Sequence, residues 1–160
     1  MSFKKLQWLF PIAVLLHNVE EAIWMPGWAE RHGVHLPVPA PGAGTIRSAL
    51  VVITIAAFVV TYMSSRKGEG SFWAYLLFGS IVAMLVNVFV PHLPATVILH
   101  SYTPGVATAV LINLPVMSVL AIRAVREGWV SGAKAVAFGV AIPMLAGGLI
   151  LLLSFADRIV

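Results

Sequence analysis

Five runs of apolar residues, each about as long as a bilayer is thick, dictate what this chain can become. They cover about residues 6–25, 46–63, 72–90, 103–122 and 134–155 of 160. At about 1.5 Å of helical rise per residue, each can cross a hydrocarbon layer roughly 30 Å thick. A segment in that layer must satisfy its own backbone hydrogen bonds, which a helix does and a lone strand does not. Composition agrees: 60% of the residues are hydrophobic and 10% charged, against roughly a quarter charged in soluble domains. The mean hydropathy of +0.97 excludes a disordered chain and weighs against a water-soluble globule. The expected fold is therefore all-α, a single transmembrane domain over residues 1–160 built as a bundle of five helices.

The formal charge of +4 and the sequence pI of about 9.9 suggest a nucleic-acid binder until the charges are placed. They stand at the ends of the apolar runs, where a membrane protein keeps them, so nucleic acid is set aside. With the amino terminus inside, Lys4, Lys5, Arg66, Lys67, Arg123, Arg126 and Lys134 are internal, and Arg31, Arg47 and Arg158 are external. This bias predicts a cytoplasmic amino terminus, an external carboxyl terminus and residence in the cell (inner) membrane. Lys4 and Lys5 before an apolar run resemble the start of a signal peptide. His17 to Glu21 and Trp24 offer no small-residue cleavage site, so the segment reads as a retained first helix. The chain has 0 Cys, which removes disulfides, thiolate metal ligands and thiol nucleophiles from consideration. Residues 25–45, rich in Pro and Gly, read as an irregular outer loop, and 64–71 and 123–133 as short inner turns. The 91–102 connection has no formally charged residue and is expected to dip into the outer membrane region.

Against this background a few polar residues stand out. Ionisable groups inside a spanning helix cost roughly 2.5–3.5 kcal/mol each at its centre. The first helix nevertheless carries His17, Glu20 and Glu21 at i, i+3 and i+4, which puts them on one face. Two adjacent carboxylates near a histidine repel each other unless a cation or a proton is shared. The third run ends Asn87-Val88-Phe89-Val90-Pro91-His92. On a straight helix Asn87 and His92 would point about 140° apart; a break at Pro91 lets both face one site. His100 and Tyr102 follow. Thr103 suits an N-cap and Pro104 the first helical position, so the fourth helix should begin with free N–H groups, a ready anion site. All of these residues fall in the outer half of the membrane or at its outer edge. Plainer readings stand beside this one. The first-helix stripe would serve as a hydrogen-bonded helix contact, His92 and His100 as interfacial histidines, Asn87 as a packing amide and Tyr102 as an aromatic-belt residue. His32 and His35 read as solvated, and Trp8, Trp28, Trp73 and Trp129 as interface anchors. Gly139, Pro143 and Gly147 read as a close-packing face, and Asn113 with Pro115 as a kink and an interhelical hydrogen bond.

The string His17-Asn18-Val19-Glu20-Glu21 reads HxxEE, and Tyr102-Thr103-Pro104-Gly105 reads YxPG. With an Asn-to-His block between them, the chain resembles the HXXEE domain family of bacterial membrane proteins from its first helix to its fourth. The family's middle block is N-x3-H, whereas four residues separate Asn87 and His92 here. The resemblance implies that these residues matter; the family's name records a motif and not a reaction.

By ligand type, three histidines with one or two carboxylates suit a divalent metal, Zn²⁺ first and iron second. A zinc site would use His17, His92, His100 and Glu20, leaving a position for water. Zn²⁺ lowers the pKa of that water to about 7. Glu21 would act as general base, and Tyr102 or the N–H groups of the fourth helix would steady an oxyanion. Asn87, Thr103 and Gly105 would support the ligands. The expected activity is a metal-dependent hydrolase acting on a lipid or small amphipathic substrate at the outer leaflet. Non-haem iron oxidation is one alternative. Binding or transport of a cation or protons without catalysis is another, although the inner halves of the helices show little polar continuation.

Overall fold

A computed structural model describes residues 1–32 and 41–156, the last four of these by backbone alone. His35 and Arg158 lie outside the described residues. The elements are α1 (Phe3–Leu6), α2 (Leu9–His32), α3 (Ala43–Lys67), α4 (Phe72–Asn87), α5 (Leu93–Ile98), α6 (Val106–Thr108), α7 (Leu114–Arg126) and α8 (Gly132–Ala156). Two π-helical turns, Val88–His92 and Ala109–Asn113, join α4 to α5 and α6 to α7. The described chain is all-helical, and four helical stretches (43–67, 72–98, 106–126 and 132–152) are long and apolar enough to cross a membrane. The 24 residues of α2 are the fifth long helix, set apart by its polar residues. The protein is a helical membrane bundle.

The centre of the bundle is α4, which packs against α3, α7 and α8, while α2 lies against α3 and touches α7. Leu77, Ile81, Met117 and Leu120 are fully buried between them. Long apolar side chains such as Val52, Leu111, Val136 and Leu152 are mostly exposed, the inverse of a soluble protein, because lipid is an adequate solvent for them. The tight α4–α8 contact depends on Gly79, where an added Cβ would lie 2.6 Å from the Phe138 carbonyl. Gly139 faces Phe78 and Val82 across this seam, but Gly147 has nothing within 4 Å, so the close-packing face read from α8 holds only in part.

The first helix continues through Pro26 to His32, past the point where an irregular loop is expected. Proline removes the bond to the carbonyl four residues back, here that of Ala22. Arg47 Nε, from α3, donates to that carbonyl at 3.3 Å. At the end of the bundle that carries most of the basic residues, Phe3 N donates to Glu127 Oε2 at 2.7 Å, and Gly70 N to the Trp129 carbonyl at 3.0 Å. Trp129 packs on Phe3 and Trp28 stacks on His32. Both tryptophans are buried, a correction to their reading as interface anchors. Asn113 is likewise buried with no partner for either amide atom among the described residues, so it makes no interhelical hydrogen bond there.

The two π-turns have local causes and one joint effect. Pro115 has no N–H for the Leu111 carbonyl, and the ladder widens so that Leu114 N bonds to the Ala109 carbonyl instead. In the other turn Val90 leaves helical geometry before Pro91. The two turns pack against each other, at the end of the bundle opposite the basic turns.

Candidate metal centre

Three side chains converge beside these turns. The ligand atoms of His17, Glu21 and His92 all lie within 4.8 Å of one another, a group that can hold a metal ion. Glu21 Oε1 is 3.6 Å from His17 Nε2 and 3.4 Å from His92 Nε2. Both histidines are 1% exposed, and their rings meet edge to face. Asn87 Nδ2 lies 3.1 Å from His17 Nε2 and 3.0 Å from His92 Nε2. The expected convergence of Asn87 and His92 is therefore present, and it comes from a break: the backbone leaves helical geometry at Val90, before Pro91, where a straight α-helix would hold the two side chains apart.

Thr108 Oγ1 lies 2.8 Å from His17 Nδ1 and 3.2 Å from the Gly105 carbonyl. When the hydroxyl donates to that carbonyl, His17 Nδ1 donates to Thr108 and Nε2 turns a lone pair to the cluster. Glu21 Oε1 faces the same Nε2, and where both are acceptors in a water-poor site a shared proton or a cation between them resolves the conflict. His92 Nδ1 is buried with no hydrogen-bond partner among the described residues.

Glu20 has a different destination. One of its oxygens accepts from Tyr102 Oη and from Gly105 N at 2.9 Å, and the other from Thr108 N at 2.9 Å. The carboxylate thus caps the start of the fourth span, satisfying N–H groups that a helix leaves free. Sequence reasoning reserved those groups for an oxyanion, made Glu20 a ligand and made Glu21 a base. The geometry sets Glu21, not Glu20, beside His17 and His92, and Glu20 fills the anion site from within the chain. The Tyr102 hydroxyl is pushed up to about 12, by burial of its polar end and then by the bond to Glu20, so it is a donor to Glu20 at neutral pH.

The remaining candidates fall outside the cluster. His100 is exposed, has a φ of 47° and is not among the convergent ligands. Thr103 is buried, but its hydroxyl has no partner among the described residues and does not cap the helix; Gly105 occupies the N-cap position. Gly105 does support the site, closely. Its φ is +89°, and a Cβ there would lie 2.6 Å from His92 Cε1, 2.9 Å from His17 Cε1 and 3.1 Å from Glu21 Cγ. His32, read as solvated, is half-buried, with Nδ1 3.0 Å from the Trp28 carbonyl. Sequence reading missed Thr108. Its signal is a lone hydroxyl three residues after Gly105 in the apolar run Val106–Ile112, one helical turn into the span.

Known proteins give the arrangement a lineage. Residues 8–120 match the family described as a protein of unknown function with HXXEE motif. The uncharacterized protein YrkK of Bacillus subtilis (strain 168) is 34% identical over 112 residues, 69% of this chain and 69% of that protein. No solved structure matches. The matched region runs from before His17 to beyond Thr108 and includes every residue of the cluster, and the chain belongs to the HXXEE family.

Proposed function

We propose that the protein holds one divalent transition-metal ion between His17 Nε2, His92 Nε2 and Glu21, and uses it as a zinc-type hydrolase on a lipid or small amphipathic substrate. The observation that carries this reading is convergence: Glu21 Oε1 lies 3.6 Å from His17 Nε2 and 3.4 Å from His92 Nε2, with both histidines buried and the ligand atoms sharing one focus. Metal bonds of about 2.0–2.1 Å at tetrahedral angles set donors about 3.3–3.4 Å apart, close to the separations of Glu21 from the two histidines. A bound zinc ion supplies a water with a pKa of about 7. The chain's own contribution is to hold the imidazoles by Gly105 and Thr108 and to keep Glu21 against them. The second oxygen of Glu21 is the nearest available proton acceptor, since Glu20 is committed to the helix start. Exposed Phe89, Val90 and Tyr102 beside the site support approach from lipid. The distribution of Lys and Arg supports placing the site in the half of the membrane away from the cytoplasm.

Two histidines with one carboxylate are also the donor set of non-haem iron centres, which favours an iron oxidoreductase as the second reading. Elemental analysis of detergent-purified protein never exposed to chelator tests the proposal and separates the two readings. The expected result is about one equivalent of zinc, or of iron for the second reading, lost in His17→Ala. Metal-free protein would overturn both. A zinc-loaded protein that releases no acid or alcohol from ester, amide or phosphoester lipids would leave a binding site without hydrolysis.

A further inference from the structure

The three proposed ligands leave out the group closest to both histidines. The Asn87 amide stands 3.1 and 3.0 Å from the two Nε2 atoms, nearer than Glu21 Oε1 at 3.6 and 3.4 Å. The two ends of an amide exchange by a half-turn of the side chain and occupy the same volume. The geometry therefore fixes that one end of Asn87 faces the cluster, and the neighbours decide which end.

A cation held at the common focus of His17 Nε2, His92 Nε2 and Glu21 is also faced by Asn87. An NH₂ end would turn its hydrogens toward that positive charge; the oxygen end adds a fourth donor. We infer, resting on the reading of the cluster as a metal centre, that Asn87 Oδ1 is a direct ligand to the same ion. The site is then composed of two imidazole nitrogens, one carboxylate oxygen and one amide oxygen. The fold places Asn87 for this role: it ends α4, and the break at Val90 returns His92 to the same side five residues later. Four protein donors complete a tetrahedral set. A substrate or water then binds only as a fifth or sixth ligand, which selects ions that expand their coordination.

Direct ligation and simple hydrogen bonding make opposite predictions for one substitution. Asn87→Asp keeps the oxygen and removes the NH₂. As a ligand it should bind Zn²⁺ at least as tightly as the native protein in competition with a chelator. Asn87→Leu, similar in shape, should bind about 100-fold more weakly, the upper end of what losing even an indirect partner costs. The chain has only three asparagines, Asn18, Asn87 and Asn113, so ¹³C-asparagine labelling gives a check that needs no variant to fold. Zn²⁺ should shift a side-chain carbonyl band to lower frequency in the infrared spectrum of the native protein. Native protein that binds Zn²⁺ with no such shift, or Asn87→Asp that weakens as Asn87→Leu does, would overturn the inference and leave the centre standing. Native protein that binds no Zn²⁺, Fe²⁺ or Co²⁺ would overturn the centre itself.

Discussion

Successive residues on a helix point about 100° apart, and the Glu20–Glu21 pair shows the chemical consequence. Relative to His17, Glu20 and Glu21 project about 60° to one side and 40° to the other, so one pocket cannot receive both. Glu21 turns toward His92, and Glu20 toward the N–H groups at Gly105 and Thr108. Glu21→Gln should therefore release the metal, as measured by elemental analysis. Glu20→Gln should keep the metal and lower the thermal stability in detergent by about 1–3 kcal/mol, since it weakens hydrogen bonds made to a charge. The reverse pattern would return Glu20 to the ligand set. Thr108 acts one step further out. Thr108→Val preserves shape but removes the acceptor for His17 Nδ1–H, and metal affinity should fall about 10–100-fold with helix content unchanged. An unchanged affinity would mean that the tautomer of His17 is not set by Thr108.

The long helices are legible in the sequence because apolar runs bounded by charge leave the backbone one way to satisfy itself in lipid. What joins them is less legible, since its determinants lie far apart in the chain. Pro26 reads locally as a helix end, yet Arg47 supplies a donor for the Ala22 carbonyl and the helix runs on. The convergence of Asn87 and His92 could be anticipated from Pro91, and the backbone does break there, at Val90. The ligand roles of the two glutamates depend on a turn more than 80 residues away, and the pattern HxxEE alone does not distinguish them. That turn hinges on Gly105, whose backbone is left-handed and whose face touches both imidazoles. Gly105→Ala combines a strained backbone, about 1–3 kcal/mol, with contacts no Cβ tolerates. It should abolish metal binding while circular dichroism still reports a helical protein. Gly147→Ala is the control: in α8, with nothing within 4 Å of its added Cβ, it should leave metal content unchanged and raise stability by up to about 1 kcal/mol. Equal behaviour of the two would remove Gly105 from the architecture of the site.

The bundle has two chemically distinct ends. One gathers Lys4, Lys5, Arg66, Lys67, Arg123, Arg126 and Lys134 at turns tied together by Phe3, Glu127, Gly70 and Trp129. The other holds the two π-turns, Gly105 and the convergent histidines. A membrane that retains basic residues on its cytoplasmic side would orient the first end inward, so the side on which the candidate metal centre would open follows from charge placed at the far end of the helices. The absence of cysteine makes this testable with single introduced thiols. Lys67 ends α3 at the basic end and Glu30 lies in the last turn of α2 at the other, and both are exposed. A membrane-impermeant maleimide applied to intact cells should label Glu30→Cys and spare Lys67→Cys until the cells are lysed. The opposite pattern would invert the molecule and turn the His17–Glu21–His92 cluster toward the cytoplasm. The substrate proposed above would then have to be drawn from the inner leaflet, whereas labelling of Glu30→Cys alone keeps the outer leaflet as its proposed source.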